Sequence, residues 1–124
     1  MATAEYVADL LSTRAAAYGG TLGDMLARTP VCLWDSPNEL MEFWASKDLS
    51  HIYPQSTHPE LAEVWSNIVA EDSSVNRSRG AQVMTQDDLL IAEQDAYLDS
   101  SVLDMQFVDD DAEFLEAITE LAGV

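Results

Sequence analysis

Residues 80–124 contain 12 acidic side chains and no lysine, arginine or histidine. No cation in this segment offsets the repulsion between its carboxylates, and like charges one helical turn apart destabilise a helix by roughly 0.2–0.5 kcal/mol per pair. Residues 1–79 hold the other 11 acids, so the formal charge of -18 is concentrated near the C-terminus. Such a field repels nucleic acid and attracts cations or basic protein patches. The five bases are Arg14, Arg28, Lys47, Arg77 and Arg79.

Length and composition predict one acidic helical domain, residues 1–124. A hydrophobic share of 48% is ordinary for a globular chain, so disorder is not expected despite the charge. Cys32 is the single cysteine, which favours a reducing compartment over secretion. The N-terminus lacks the basic and apolar regions of a signal peptide, and no apolar run approaches the roughly 20 residues of a membrane span. We therefore expect a cytoplasmic protein that binds no membrane.

Hydrophobic spacing and helix-capping residues predict a mainly α fold, a single-domain bundle of five or six short helices with a possible short strand pair. The two clearest helix starts are Ser36-Pro37-Asn38-Glu39 and Thr57-His58-Pro59-Glu60. In both, a polar residue that can cap the helix precedes a proline, and a glutamate follows within the first turn. The predicted helices are 3–18, 24–28, Ser36 to about Lys47, Thr57 through Val69, 85–99, and a last helix after Asp109–Asp111.

Two of these helices have regular apolar stripes that predict a buried face. The fourth helix gives the best amphipathic pattern in the chain, and the last helix gives a similar one. The stripes are Leu61, Val64, Trp65, Ile68 and Val69 in the fourth helix, and Phe114, Leu115, Ile118 and Leu121 in the last.

Three segments are less regular. The apolar run 31–34 fits a short strand or a buried connector, with Cys32 as a buried structural thiol. Residues 71–84 are predicted to form a polar loop that separates a mildly acidic part from a strongly acidic C-terminal part. Residues 100–108 fit either a helix or a short strand.

The residues for catalysis are scarce, so we expect a protein that is not an enzyme and needs no cofactor. A nucleophilic cysteine would require one of the two histidines, His51 or His58, as its base. The run 19–23 lacks the spacing and the lysine of a phosphate-binding loop. The two histidines have no spacing typical of a metal site, and Asp109–Asp111 lacks the pattern of a calcium loop.

Paired glutamates supply one enzymatic alternative. Glu39/Glu42, Glu60/Glu63 and Glu113/Glu116 are each three residues apart, so each pair projects from one side of a helix. Two such pairs on facing helices could hold Mg²⁺, an arrangement similar to that of the all-α nucleoside triphosphate pyrophosphatases. Acidic helices also produce such pairs by chance, so we predict capping and solvation as their role, with no metal.

The acidic C-terminal part is the predicted partner-binding surface. Its carboxylates recur along helices at separations of the same order as DNA phosphates, and no lysine interrupts them. This pattern is typical of DNA-mimic proteins, a functional class that includes phage and plasmid inhibitors of restriction, CRISPR or transcription machinery. We therefore expect an inhibitor that binds a basic, nucleic-acid-binding protein surface and no nucleic acid itself. The predicted residues are Asp88, Asp95, Asp99, Asp104, Asp109, Asp110, Asp111, Glu113, Glu116 and Glu120.

Aromatic side chains beside the acids could anchor the partner, and Trp34, Trp44 and Tyr97 are the candidates, although core packing is the more common role. Two further alternatives stay open. A structural or adaptor protein, such as a virion or scaffold component, could form a homodimer through Val102–Val108. A haloadapted protein would also be acidic and poor in lysine, but its acids would be spread over the whole chain.

Overall fold

The computed structural model describes residues 3–106 and 111–124, with the side chains of 104–106 left aside. Its described residues form six α-helices and a two-stranded antiparallel sheet, and 63% of the fold is helical. The predicted mainly α fold with a short strand pair is therefore confirmed. The elements are α1 (Ala4–Ala16), α2 (Leu22–Ala27), α3 (Pro37–Ala45), β1 (Lys47–His51), β2 (Ile68–Asp72), α4 (Ser73–Arg79), α5 (Gln86–Gln106) and α6 (Ala112–Ala122).

The hydrophobic core lies between α1, α2, α3 and α6. Leu11, Leu26, Phe43 and Ile118, one from each of these helices, are buried together. α6 packs against α1 and α2, so the last helix returns to the first. α5 packs against β2 and α3 instead. The two acidic helices of the C-terminal part therefore rest on different parts of the molecule.

The helix predicted from Thr57 is wrong. The segment forms two short 3₁₀ turns, at Pro59–Leu61 and Trp65–Asn67, and then strand β2. The buried Asn67 explains the difference, because its side chain accepts a hydrogen bond from the Tyr53 amide and donates to the carbonyls of Tyr53 and Leu61. Such side-chain bonds to the backbone compete with those of a helix, and the β-branched residues that follow favour a strand.

β1 lies where the predicted third helix was expected to end, and the first two residues of β2, Ile68 and Val69, were predicted as helical. β1 and β2 pair antiparallel, with Lys47 opposite Asp72 and His51 opposite Ile68. The predicted loop at 71–84 is also wrong, since it holds the end of β2 and helix α4. α4 is polar, and it is tied to the sheet because Ser73 and Asn76 both donate hydrogen bonds to the Asp48 carboxylate.

The structure also decides two predictions for shorter segments, residues 31–34 and residues 100–106. Residues Val31–Leu33 form a 3₁₀ turn in which Leu33 is buried while Val31 and Cys32 are exposed. The expectation of a buried thiol at Cys32 is therefore wrong, because the turn points the side chain away from the core. α5 continues to Gln106, which settles the alternative at 100–106 in favour of a helix.

Candidate functional site

Helix α6 presents three of the predicted carboxylates to solvent. Its N-cap is Asp111, whose side chain accepts a 3.0 Å hydrogen bond from the Phe114 amide. Phe114 and Ile118 are buried, and this fixes the opposite side of the helix outward. The exposed carboxylates on that side, at positions i, i+3 and i+7, belong to Glu113, Glu116 and Glu120. We call these three residues the α6 row. Leu121, predicted to be buried with the stripe, is exposed.

The packing of α6 on α1 adds an acid that the sequence reasoning missed. A groove between the first turns of the two helices is lined by Glu5 of α1 together with Asp111 and Glu113. Glu5 is exposed and lies 106 positions before Asp111, so no spacing rule connects the two. The groove extends the negative surface of the α6 row toward the N-terminus of the chain.

The predicted acids of α5 are arranged differently, because they lie on the flank of the helix that borders the sheet. Asp88 accepts a 2.8 Å hydrogen bond from the Thr85 amide and so caps the helix start. Asp99 accepts a 2.7 Å hydrogen bond from the Lys47 ammonium group. Asp95 is half-buried near Asp72 and Asp99. The structure thus uses Asp88 and Asp99 internally, and Asp99 is partly neutralised.

The remaining three predicted residues have side chains outside the described part of the chain. Asp109 and Asp110 are outside the described residues, as are Phe107 and Val108 of the proposed dimer segment. The backbone of Asp104 is part of α5, but its side chain is not described. Because α5 and α6 have different packing partners, the predicted acids fall into at least two groups. One group is the α6 row with its groove, and the other borders β2.

Lys47 is the centre of the second group. Its side chain is 1% exposed, and its ammonium group donates to Asp72 at 2.5 Å and to Asp99 at 2.7 Å. Burial opposes the charged form, but the hydrogen bonds to Asp72 and Asp99 outweigh it and raise the pKa of Lys47. Burial and the neighbouring charges of Asp72 and Asp99 raise the pKa of Asp95. Lys47 therefore bonds two carboxylates, and the third, Asp95, lies close to both of them.

Most of the basic side chains point into the protein. Arg14 donates to the carbonyls of Trp44 and Lys47, both at 2.8 Å. Arg28 donates to the Ile68 carbonyl and lies over the Trp65 ring. Lys47 bonds Asp72 and Asp99, and Arg79 bonds Glu71. Arg77 is the base with an exposed side chain. Arg79 thus bonds an acid of the sheet, and among the acids of the C-terminal helices its charge also acts on Asp88.

The aromatic candidates separate clearly. Trp44 is buried and donates its ring N–H to the Thr29 hydroxyl. Trp34 is half-buried and donates to the Thr29 carbonyl. Tyr97 is exposed on α5. Tyr97 is therefore the one of the three whose ring is free to contact a partner.

The alternative metal sites lack the predicted geometry. Glu60 is exposed in the first 3₁₀ turn and Glu63 is exposed in the connection that follows it, so neither lies on an α-helix, and Glu39 is buried while Glu42 is exposed. His51 and His58 contact different tyrosines, Tyr18 and Tyr53 respectively. Across residues 3–106 and 111–124, no three His, Cys, Asp or Glu side chains are grouped so as to hold a metal ion.

No family model matches the sequence, and no curated protein and no solved structure is significantly similar to it. None of the helices in the described ranges is long and apolar enough to cross a bilayer. A function for the protein is therefore inferred from the geometry of its side chains.

Proposed function

We propose that this protein is an acidic inhibitor that binds the basic, nucleic-acid-binding surface of a protein partner and blocks it. The observation that carries the proposal is the inward direction of the bases. Arg14, Arg28, Lys47 and Arg79 are all engaged with the protein itself, which leaves the outward carboxylates of the C-terminal helices uncompensated. The resulting field attracts a cationic surface and accelerates its encounter with the protein, most strongly at low salt.

The α6 row supplies the phosphate-like spacing. Glu113 and Glu116 are separated by about 4.5 Å of helical rise, and Glu116 and Glu120 by about 6 Å. Phosphates along one DNA strand are about 3.4 Å apart along the axis, so the two series of anions have the same order of spacing. Lysine and arginine side chains are long and flexible enough to adapt to this difference. The row, with Glu5 beside it, is the centre of the proposed binding surface.

The other acids, the cytoplasmic location and the phage or plasmid origin that the sequence predicted are also part of the proposal. The remaining acids, including Asp104, Asp109 and Asp110, contribute to the field, whereas Asp99 is partly neutralised by Lys47. A cytoplasmic location suits the exposed Cys32 thiol, which stays reduced there. A phage or plasmid origin, with an anti-restriction or anti-CRISPR role, is the setting in which such a stoichiometric inhibitor acts.

The experiment that tests the proposal compares two matched pairs of charge removals. Glu113→Gln/Glu116→Gln changes the α6 row, and Glu60→Gln/Glu63→Gln changes an exposed pair with the same sequence spacing elsewhere. Each protein is immobilised and exposed to host lysate at about 50 mM salt, where electrostatic association is strong. We expect the wild-type protein and the Glu60/Glu63 variant to retain the same protein, and the α6 variant to retain much less.

The retained protein is then identified and tested for nucleic-acid binding. In a mobility-shift assay, adding the wild-type inhibitor is expected to displace DNA or RNA from it, whereas the α6 variant requires a higher concentration. Equal retention by both variants would show that the α6 row is not used. A retained protein that binds no nucleic acid would refute the mimicry itself.

A further inference from the structure

Helix α5 has most of its large apolar side chains on the outside, although Leu103 packs against the core. The residues that it buries include Ala92 and Ser100, which are small. Tyr97 is 71% exposed, Leu98 58% and Leu90 50%. Apolar patches of this kind, when they are contiguous and edged by polar groups, mark sites of interaction with other molecules.

The exposed apolar side chains of α5 are contiguous. Leu90, Tyr97 and Leu98 line one shallow surface together with Glu93 and Gln94. One turn further along, Val102 lines the neighbouring groove between α5 and α3. From the first to the last of these apolar residues, the surface follows about 18 Å of helical rise. We call Leu90, Tyr97, Leu98 and Val102 the α5 face.

Acids border the α5 face on both edges. Glu93 lies beside Leu90 and Tyr97 on one edge. In the groove at the other edge, Glu42 contributes an exposed carboxylate, beside Asp99, which is bonded to Lys47. α5 itself contains no lysine, arginine or histidine. The surface is thus apolar along its middle and negative along its sides.

We infer that the α5 face binds a basic amphipathic helix of the protein partner. Apolar side chains of that helix pack on Tyr97 and Leu98, and its lysines or arginines meet the bordering carboxylates. The inference rests on the proposed function for the positive charge of the partner, and it adds the secondary structure and the apolar content of the segment that docks.

Charge complementarity favours this occupant over a second copy of the chain. Two copies joined through the α5 face would bring Glu93 and Glu42 of one molecule toward the like charges of the other, and each molecule carries a formal charge of -18. A basic helix removes that repulsion. Its apolar contact also persists when salt screens the charges, because burial of apolar surface does not depend on Coulomb attraction.

The test uses two synthetic peptides of equal charge. The first is an 18-residue amphipathic helix of leucine and lysine, and in the second every leucine is replaced by serine. Their affinities are measured by fluorescence anisotropy against the wild-type protein, Leu90→Ser/Leu98→Ser, and the control Val31→Ser/Leu121→Ser. The control residues are exposed on other elements, so both variants remove two solvent-facing apolar side chains and keep every charge.

We expect the wild-type protein to bind the leucine-lysine peptide at least roughly ten-fold more tightly than the serine-lysine peptide, since truncating central apolar anchors typically costs that much or more. Leu90→Ser/Leu98→Ser abolishes the preference, and the control variant keeps it. Methyl NMR signals of Leu90 and Leu98 shift on binding, whereas that of Leu121 does not.

The other outcomes each decide a separate question. Equal affinity for the two peptides would overturn the inference and leave the proposed function standing, because both peptides then bind by charge. Failure of both peptides to bind at low salt would overturn the proposed function together with the inference. A wild-type dimer in sedimentation that dissociates in Leu90→Ser/Leu98→Ser would assign the α5 face to a second copy.

Discussion

Helices α5 and α6 have similar compositions, but α6 turns its large apolar side chains toward the core and α5 turns most of its own toward solvent. Both are acidic and both lack lysine and arginine. α6 buries Phe114 and Ile118 and leaves its glutamates in water, as the hydrophobic effect alone would dictate. α5 buries Ala92 and exposes Tyr97 and Leu98. Composition and helical period therefore determine which face of α6 is buried, but they do not determine which face of α5 is buried.

The orientation of α5 depends on contacts made by the sheet. Lys47 of β1 bonds Asp72 of β2 and Asp99 of α5, so one buried cation joins three elements. Small residues such as Ala92 let the helix approach the sheet closely. This arrangement leaves Leu90, Tyr97 and Leu98 outside the core. An outward apolar face is costly unless it binds something, which is the physical basis for giving α5 and α6 separate roles.

The largest expected effect is the loss of a buried side chain of α6. Ile118 is fully buried in the core, so Ile118→Ala is expected to lower the free energy of unfolding by about 3–4 kcal/mol through lost burial and a residual cavity. Leu121→Ala on the same helix is the control, with an expected effect below about 0.5 kcal/mol because that side chain is exposed. Denaturant unfolding measures both. Similar losses at the two positions would contradict the described orientation of α6.

A smaller effect is expected where α5 is attached to the sheet. Lys47→Met keeps an apolar stem but leaves Asp72 and Asp99 without their cation, so we expect a loss of about 2 kcal/mol, less than for a fully buried pair because the carboxylates reach solvent. Hydrogen exchange should show the amides of α5 losing protection before those of α6.

The control for this variant also removes the carboxylates' charge. Lys47→Met combined with Asp72→Asn and Asp99→Asn is expected to recover much of the lost stability, since replacing a whole buried ionic group is often neutral whereas removing one member is not. If Lys47→Met alone left both stability and exchange unchanged, α5 would be held by something other than this cluster.

The same contrast explains which features the sequence predicted. The start of α6 was predicted because its signals are local: the cap at Asp111 and the spacing of Phe114 and Ile118 lie within eight residues. The region after Thr57 was not, because Asn67 hydrogen-bonds to Tyr53 and the strand that follows pairs with β1. These contacts join separate parts of the chain, and periodicity within one segment carries no information about them.

The candidate site also has some features that the sequence predicted and others that depend on packing. The outward direction of Glu116 and Glu120 follows from the helical period opposite a buried stripe, and the sequence predicted it correctly. The capture of Asp99 by Lys47, 52 residues earlier, and the position of Glu5 beside Glu113 depend on how the helices pack. Charge counts can indicate that a surface is acidic, but only the packing decides which acids remain available.

The smallest expected effect is a difference in pH dependence between two aspartates. Burial, followed by the charges of Asp72 and Asp99, raises the pKa of Asp95, although Lys47 opposes the shift. The folded state therefore holds the Asp95 proton more tightly than the unfolded chain does. Its contribution to stability falls as pH rises from the unfolded pKa of about 3.9 through the higher folded pKa. At neutral pH the ionised Asp95 is destabilising.

Asp48, which follows Lys47 in β1 and pairs with Glu71, gives the contrary sign. A hydrogen bond from Asn76 lowers the pKa of Asp48, with a further one from Ser73, so its stabilisation is present above the unfolded pKa and is lost as pH falls through the lowered folded value. At pH 7 we expect Asp95→Asn to raise the free energy of unfolding by on the order of 0.5 kcal/mol after solvent screening, and Asp48→Asn to lower it. Both differences should shrink as the pH approaches about 3, where the ordinary carboxyl group is protonated. Denaturation curves at several pH values decide the matter, and a loss of stability at pH 7 in Asp95→Asn would mean that its carboxylate is a partner of Lys47 rather than a competitor of Asp72 and Asp99.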